Sequence, residues 1–207
     1  HVPASTPALS PEEAQRRFKL PPGFVIRLFA SEPEVVNPVA MTWDERGRLW
    51  VVELYEYPLG APKGQTPRDR IKILEDTDAD GRADKVTVFA DGLNLATGLL
   101  LGYGGVFVGQ APDLLFLEDT DGNGRADKRT VLKTGFGLQD RHELLNGFTW
   151  GPDGWLHMTH GVFTQSQVKD PANPNDDGVV VNAAVARYHP RTKKFEVFAD
   201  GTSNPWG

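Results

Sequence analysis

One stretch of this chain occurs twice, and that repetition limits what the chain can fold into. Residues 73–93 read ILEDTDADGRADKVTVFADGL, and residues 116–136 read FLEDTDGNGRADKRTVLKTGF. Asp76 maps onto Asp119, a displacement of 43 positions. Periods near that length belong to architectures in which one supersecondary unit stacks on the next, and a four-stranded propeller blade is such a unit. Each copy also places a loop of pattern D-x-D-x-[DN]-G-x-x-D between two runs with strand character.

The period extends beyond the two copies. A first repeat opens at Asn37, with strands over 37–43, 49–53, 70–75 and 86–90. A second opens at Asn94 and aligns without a gap, Gly104 falling on Gly47, with outer strands at 114–118 and 129–133. A third opens at Asn146, has Gly151-Pro152-Asp153-Gly154 as its tight turn, and ends in strands 185–189 and 195–199. There Pro190–Lys193 replaces the acidic loop. Asn204-Pro205-Trp206-Gly207 reads as the opening of a fourth. The fold expected is all-β: a propeller of four-stranded blades, about three of them present, with a short N-terminal helix. Three blades do not close a propeller, which takes four to eight, so the expectation is an incomplete ring from a six-bladed parent. Residues 1–22 are set apart as lead-in and helix, and 23–207 as partial propeller. Ser10-Pro11-Glu12-Glu13 carries an N-cap, a proline at the first helical position and a capping-box glutamate. That helix is expected to run to about Leu20, and residues 24–30 to form a strand completing the last blade.

Composition excludes several function classes. There is no cysteine, so disulfides, thiolate metal sites and covalent haem attachment within this chain are out. Lys and Arg are scattered rather than striped, which argues against a nucleic-acid footprint. The longest uncharged run, 94–112, contains five glycines and a strand–turn–strand pattern, so no transmembrane segment is expected. Seven of the 28 acidic residues lie in the two loops, and without them the chain would be nearly neutral.

That concentration of charge points to a cation. Calcium takes several hard oxygen ligands from a loop that wraps it. Asp76, Asp78 and Asp80 offer carboxylates at alternate positions, Arg82 its main-chain carbonyl, and Asp84 closes the ring. Asp119, Asp121, Asn123, Arg125 and Asp127 repeat the set. An EF-hand would need a glutamate at position twelve and flanking helices, whereas Thr87 and Thr130 stand there between strands. The pattern resembles the calcium hairpin of integrin α-subunit propellers. An Asp/Gly-rich turn that holds no metal is the alternative.

The long connections, 53–69, 134–146, 160–182 and 201–204, share the face opposite these loops and are where function would lie. His142 can serve as a general base there, with Asp140 orienting the ring and Arg141 stabilising an anion; a histidine merely hydrogen-bonded in a loop is the bland alternative. His160 is a rim candidate and His157 a structural residue. Glu53, Tyr55 and Tyr57 can line the same mouth. Trp43, Trp50, Trp150 and Trp155 are expected in the core, and Trp206 at the entrance to a further blade.

The segments KLPPGFVIRLFASEPEVVNPVAMTWDERGRLWVVE, RIKILEDTDADGRADKVTVFADGL, APDLLFLEDTDGNGRADK, NGFTWGPDGWLH, GVFTQSQV and NPWG resemble the membrane-bound dehydrogenase domain family. These are bacterial propellers often fused to helical repeats and a haem-c domain. The resemblance covers about residues 10–207. More distantly the chain is similar to the glucose/sorbosone dehydrogenases, six-bladed propellers that use pyrroloquinoline quinone and calcium. The resemblance implies a sugar or alcohol substrate and His142, ahead of the Gly151-Pro152-Asp153 turn, as the base. It also implies a haem-c domain or cytochrome as electron acceptor. Asn146 falls near a position that carries a cofactor-contacting arginine in the sugar dehydrogenases. A competing expectation is a non-catalytic calcium-binding propeller that recognises a glycan or a protein. A periplasmic or secreted location is expected, since calcium sites of this kind fill readily outside the cytoplasm and a start at His1 is compatible with a removed signal.

Overall fold

The structure is a computed structural model that describes residues 7–205. It contains one short helix, α1 (Pro11–Arg17), and strands grouped into antiparallel sheets. The first sheet is β1 (Pro38–Trp43), β2 (Leu49–Glu53), β3 (Asp69–Glu75) and β4 (Lys85–Leu93). The second is β5 (Ala96–Gly102), β6 (Gly105–Gln110), β7 (Asp113–Glu118) and β8 (Lys128–Thr134). The third combines β9 (Asn146–Trp150), β10 (Leu156–His160), β13 (Ala184–Tyr188) and β14 (Phe195–Asp200), with a hairpin of β11 (Ser166–Val168) and β12 (Val179–Val181) inserted in it. Each four-stranded sheet is a meander, and β5 packs beside both β1 and β9. Three meanders with neighbouring inner strands form a propeller-like arrangement.

The sheets meet because successive residues of a strand point to opposite faces. In β2, Trp50 and Val52 turn toward the second sheet and join Ile71, Phe89, Val106 and Leu115 in one core cluster. Leu49 and Val51 turn the other way and pack with Leu74 under Phe29, Ala30 and Val35. This two-sided burial is why LWVVE is apolar almost throughout. Between the second and third sheets the fit depends on missing side chains. A Cβ at Gly102 would lie 2.6 Å from Trp150 Cζ2, and one at Gly98 would lie 2.9 Å from Phe148 Cε1. Trp150 then donates its indole N–H to Leu101 O at 2.8 Å.

Several expectations need correction. α1 has the capping box that Ser10 and Glu13 promise, each side chain bonding the other's main-chain N–H at 3.2 Å. It ends at Arg17 rather than Leu20, because Phe18 already takes an extended conformation (φ −67°, ψ 135°) three residues before Pro21. Residues 24–30 form no strand, because no sheet edge among the described residues runs alongside them. They form an extended strap, tied by Gln15 Nε2 to Ile26 O (2.8 Å) and by Ala83 N to Phe29 O (2.8 Å). Trp43 is exposed, not core: it pairs with Leu49 on the strap-facing side of β1–β2, and the strap covers Leu49 but reaches Trp43 only through Phe29, ring centroids 5.1 Å apart. Trp50 is buried, Trp150 packs against the core, and Trp155 is partly buried beside Arg187. Trp206 lies outside the described residues. No helix among the described residues is long and apolar enough to cross a membrane.

Candidate functional site

The meander topology sorts the connections onto two faces. The β1–β2 and β3–β4 loops lie at one end of the first sheet, and the β2–β3 and β4–β5 connections at the other.

At the first end the acidic loops fold alike. Asp76 Oδ2 accepts from Gly81 N and Asp119 Oδ2 from Gly124 N, both at 2.8 Å. Asp80 N and Asn123 N each point to two aspartate carboxylates. Asp84 and Asp127 each accept from the main-chain N–H and hydroxyl of the threonine seven residues earlier, Thr77 and Thr120, and the hydroxyl bonds at 2.7 Å hold both carboxyls below the usual range. Ligand atoms of Asp76, Asp78 and Asp80 lie within 4.8 Å of one another, as do those of Asp119, Asp121 and Asp127. None of these six is ion-paired among the described residues. The donors are all hard oxygens on a loop bent at a positive-φ glycine, Gly81 or Gly124, and this chemistry fits calcium. Asp84 stands outside the first cluster whereas Asp127 joins the second, and the Arg82 and Arg125 carbonyls belong to neither group of side chains.

At the opposite end, Val39, Leu54, Tyr57, Thr97, Arg141, His142 and Glu143 line a cavity of about 340 Å³. The chain 138–143 reaches it through hydrogen bonds to the third sheet's connection: Asp140 N donates to Thr164 Oγ1 (2.7 Å) and Gly137 N to Ser166 Oγ (2.8 Å). His142 Nδ1 is hydrogen-bonded to the Tyr57 hydroxyl, with the rings edge to face at 5.6 Å. Asp140 does not orient the imidazole. Its Oδ1 accepts from the main-chain N–H of His142 at 2.9 Å, a local turn two residues long. Arg141 is directed to main-chain carbonyls, Nη1 to Leu59 O and Nε to Leu138 O at 3.4 Å.

Other expected site residues are committed to the fold. Glu53 is fully buried, paired with Lys72 Nζ at 2.8 Å and accepting from Val36 N at 2.7 Å and from the Tyr55 hydroxyl at 3.1 Å, so it does not face a ligand. Asn146 is buried, with its amide N–H bonded to Leu144 O (2.7 Å) and its oxygen accepting from the Thr159 hydroxyl (2.6 Å). His160 is not on the rim. Its Nδ1 donates to Gly161 O at 3.0 Å, so Nε2 accepts from Ser166 Oγ at 2.7 Å, and burial holds the ring below the usual histidine range. His157, on β10, packs edge to face on Phe198.

Glu143 went unrecognised in the sequence. Its Oε2 is the one buried side-chain polar atom without a hydrogen-bond partner among the described residues. Burial raises its pKa and the nearby Asp140 adds to the rise, against an opposing effect of His142. Gly161, 18 positions later, packs so closely that a Cβ there would lie 2.1 Å from Glu143 Cβ. No local pattern signals such a contact.

The family described as "Domain of unknown function (DUF7133)" matches residues 10–207. Its description names no activity, so the dehydrogenase label expected from the sequence is not carried by it. No curated protein matches the chain. The chain is similar to the calcium structure of a Trichoderma reesei carbohydrate-active enzyme of family AA12, at 14% identity and a TM-score of 0.51, covering 86% of this chain and 40% of that one. The iodide structure of the same family gives 14% identity and a TM-score of 0.50, covering 78% and 37%. The chain thus spans less than half the length of these structures, and at that identity the likeness concerns the fold.

Proposed function

We propose, from the premise that this chain belongs to the DUF7133 family, that it forms part of a calcium-braced propeller dehydrogenase of the quinoprotein type. It would oxidise a sugar or another alcohol and hand the electrons to a haem-c domain or cytochrome. The observation that carries the reading is the convergence of His142, Tyr57, Arg141 and Glu143 on one cavity at the face of the long connections. Similarity in fold to a calcium-containing structure of a carbohydrate-active enzyme agrees with it.

His142 has the geometry of a base. The proposal takes the tautomer in which Nδ1–H donates to the Tyr57 oxygen; Nε2 then keeps its lone pair and can take the proton of a substrate hydroxyl. Tyr57 holds the ring in place through this bond and an edge-to-face contact. Pyrroloquinoline quinone carries three carboxylates, and the cationic group of this chain beside the cavity is Arg141, anchored through Nη1 and Nε. Its remaining nitrogen, Nη2, would hold a carboxylate. The quinone, when bound, supplies the two-electron acceptor for the hydride leaving the alcohol carbon. Val39 and Leu54 add apolar lining against which the C–H face of a substrate would pack.

On this reading calcium sits in the two acidic loops and braces the scaffold from the far face, and the protein works in the periplasm or outside the cell. The test is reduction of an artificial electron-accepting dye by the full chain supplied with calcium, the quinone and a panel of sugars and alcohols. Alcohol-dependent reduction that falls by about 10²–10⁴ in His142→Ala supports the proposal; absence of any alcohol-dependent reduction overturns it. A recognition propeller without catalysis is favoured by one feature, Phe163, which is 78% exposed with φ +65° on the connection after β10. Glycan binding that persists in His142→Ala without dye reduction would select that reading.

A further inference from the structure

The cavity beside His142 contains a carboxyl group for which neither the fold nor the proposed base chemistry accounts. A buried carboxyl oxygen without a donor is destabilising, by more than a typical hydrogen bond contributes when made. None of the groups around it bonds Glu143 Oε2. Arg141 is turned to the carbonyls of Leu59 and Leu138, His142 Nδ1 to the Tyr57 hydroxyl, and the His160 ring to Gly161 O and Ser166. Gly161 packs against Glu143 Cβ and Cγ and donates its N–H to Glu143 O at 3.2 Å, which fixes the stem of the side chain and leaves the terminal carboxyl torsion free to turn an oxygen to the cavity.

The surrounding charges select the class of ligand. A cation would meet Arg141 and His142, and an anion would meet Asp140 and Glu143 itself. A neutral ligand rich in hydroxyls meets neither penalty. Each of its hydroxyls both donates and accepts, so it can meet the Glu143 carboxyl in either protonation state. Its C–H faces suit Val39 and Leu54. We propose that Glu143 grips a hydroxyl of a neutral polyhydroxy ligand, a monosaccharide or a sugar alcohol, held in the cavity next to His142. The inference builds on the dehydrogenase reading, in which that ligand is the substrate, but binding alone can test it.

The experiment is calorimetric titration of the full chain, without quinone, with D-glucose, D-xylose, D-sorbitol and glycerol. At least one should bind saturably to the wild type. Glu143→Ala should weaken that ligand about tenfold, the loss of one hydrogen bond. Glu143→Gln keeps a donor and an acceptor on the same shape and should stay within about threefold of the wild type. Failure of all four ligands to bind the wild type overturns the inference. So does unchanged affinity in Glu143→Ala, or a Gln variant that melts like the wild type and yet binds as weakly as Ala. Quinone titration of the same samples separates the two readings. Sugar binding that needs Glu143 without any quinone binding leaves this inference standing and removes the dehydrogenase. Quinone binding with a sugar affinity indifferent to Glu143 does the reverse.

Discussion

Ala126 donates its main-chain N–H to the carbonyl of Phe89 at 2.7 Å, which hooks the second acidic loop onto the outer strand of the preceding sheet. Ala83, 43 positions earlier, does the same to Phe29 of the strap at 2.8 Å. Phe89 and Phe29 are each followed by alanine, in VFAD and LFAS, so the strap occupies for the first sheet the place that β4 occupies for the second. A metal in either loop would therefore brace a junction between units as well as its own hairpin.

The consequence for calcium is measurable. At free calcium about 100 times a site's dissociation constant, one site adds about 2.7 kcal/mol of stability. Hydrogen exchange at the Ala83 and Ala126 amides should slow with calcium and recover on chelation. The double variant Asp78→Asn/Asp121→Asn should lose most of that response, and a response as large as the wild type's would place the metal elsewhere.

Ala79 and Gly122 hold equivalent places in the two loops, with φ of +63° and +78°. A β-carbon in this region is strained by about 1–2 kcal/mol, partly offset by the greater freedom glycine has when unfolded. Ala79→Gly should therefore stabilise the calcium-free protein by up to about 1 kcal/mol in urea unfolding, and Gly122→Ala should destabilise it by a similar amount. Opposite signs would mean that the loops do not share a backbone path.

The sign of the pH effect at Glu143 follows from its raised pKa. The folded protein favours the protonated carboxyl, so this group costs no stability below the ordinary glutamate value and a growing amount as pH rises through the folded one. Asp140 and Arg141 flank it on the same loop, and His142 and Tyr57 face the same cavity. Glu143→Gln should match the wild type in Tm near pH 4 and exceed it near pH 8. A variant that melts lower at pH 8 would show the carboxylate to be satisfied.

Glu53 should matter to stability and not to ligands. Removing one partner of a buried ion pair costs about 3–5 kcal/mol, because the other charge is left without compensation. Glu53→Gln removes the negative charge that faces both Lys72 and Arg70 and leaves Lys72 with only neutral acceptors, Glu34 O at 2.7 Å and the new amide oxygen. Its urea midpoint should drop accordingly while the folded fraction binds quinone as the wild type does. A variant of unchanged stability and weakened quinone affinity would return Glu53 to the cofactor site.

Much of the strand pattern was legible because it rests on local periodicity. The repeat opening at Asn94, the glycine turns and the outer strands of each unit all lie within a few residues of where alternation and turn chemistry put them. What failed depended on distant partners. The β11–β12 hairpin, three residues a side, flanks a segment rich in Pro, Asn and Asp that reads as plain loop. Residues 24–30 have strand composition, but a strand exists only against an edge. Glu53 and Asn146 look available until Lys72 and Thr159 are brought beside them, and Glu143 is singled out only once Gly161 closes over it. At the face of the long connections the residue types were readable and the pairings were not: the sequence pairs His142 with Asp140 by proximity, whereas the fold pairs it with Tyr57.

The central claim is tested most directly by calorimetric titration of the full chain with pyrroloquinoline quinone in calcium-containing buffer, with the wild type and Arg141→Ala compared. The account predicts saturable binding to the wild type, weakened about tenfold or more when the guanidinium is removed. It also predicts alcohol-dependent reduction of the bound quinone in the wild type that His142→Ala abolishes. A wild type that takes up no quinone, while still gaining thermal stability from calcium, would contradict it and leave a metal-braced scaffold whose cavity serves recognition.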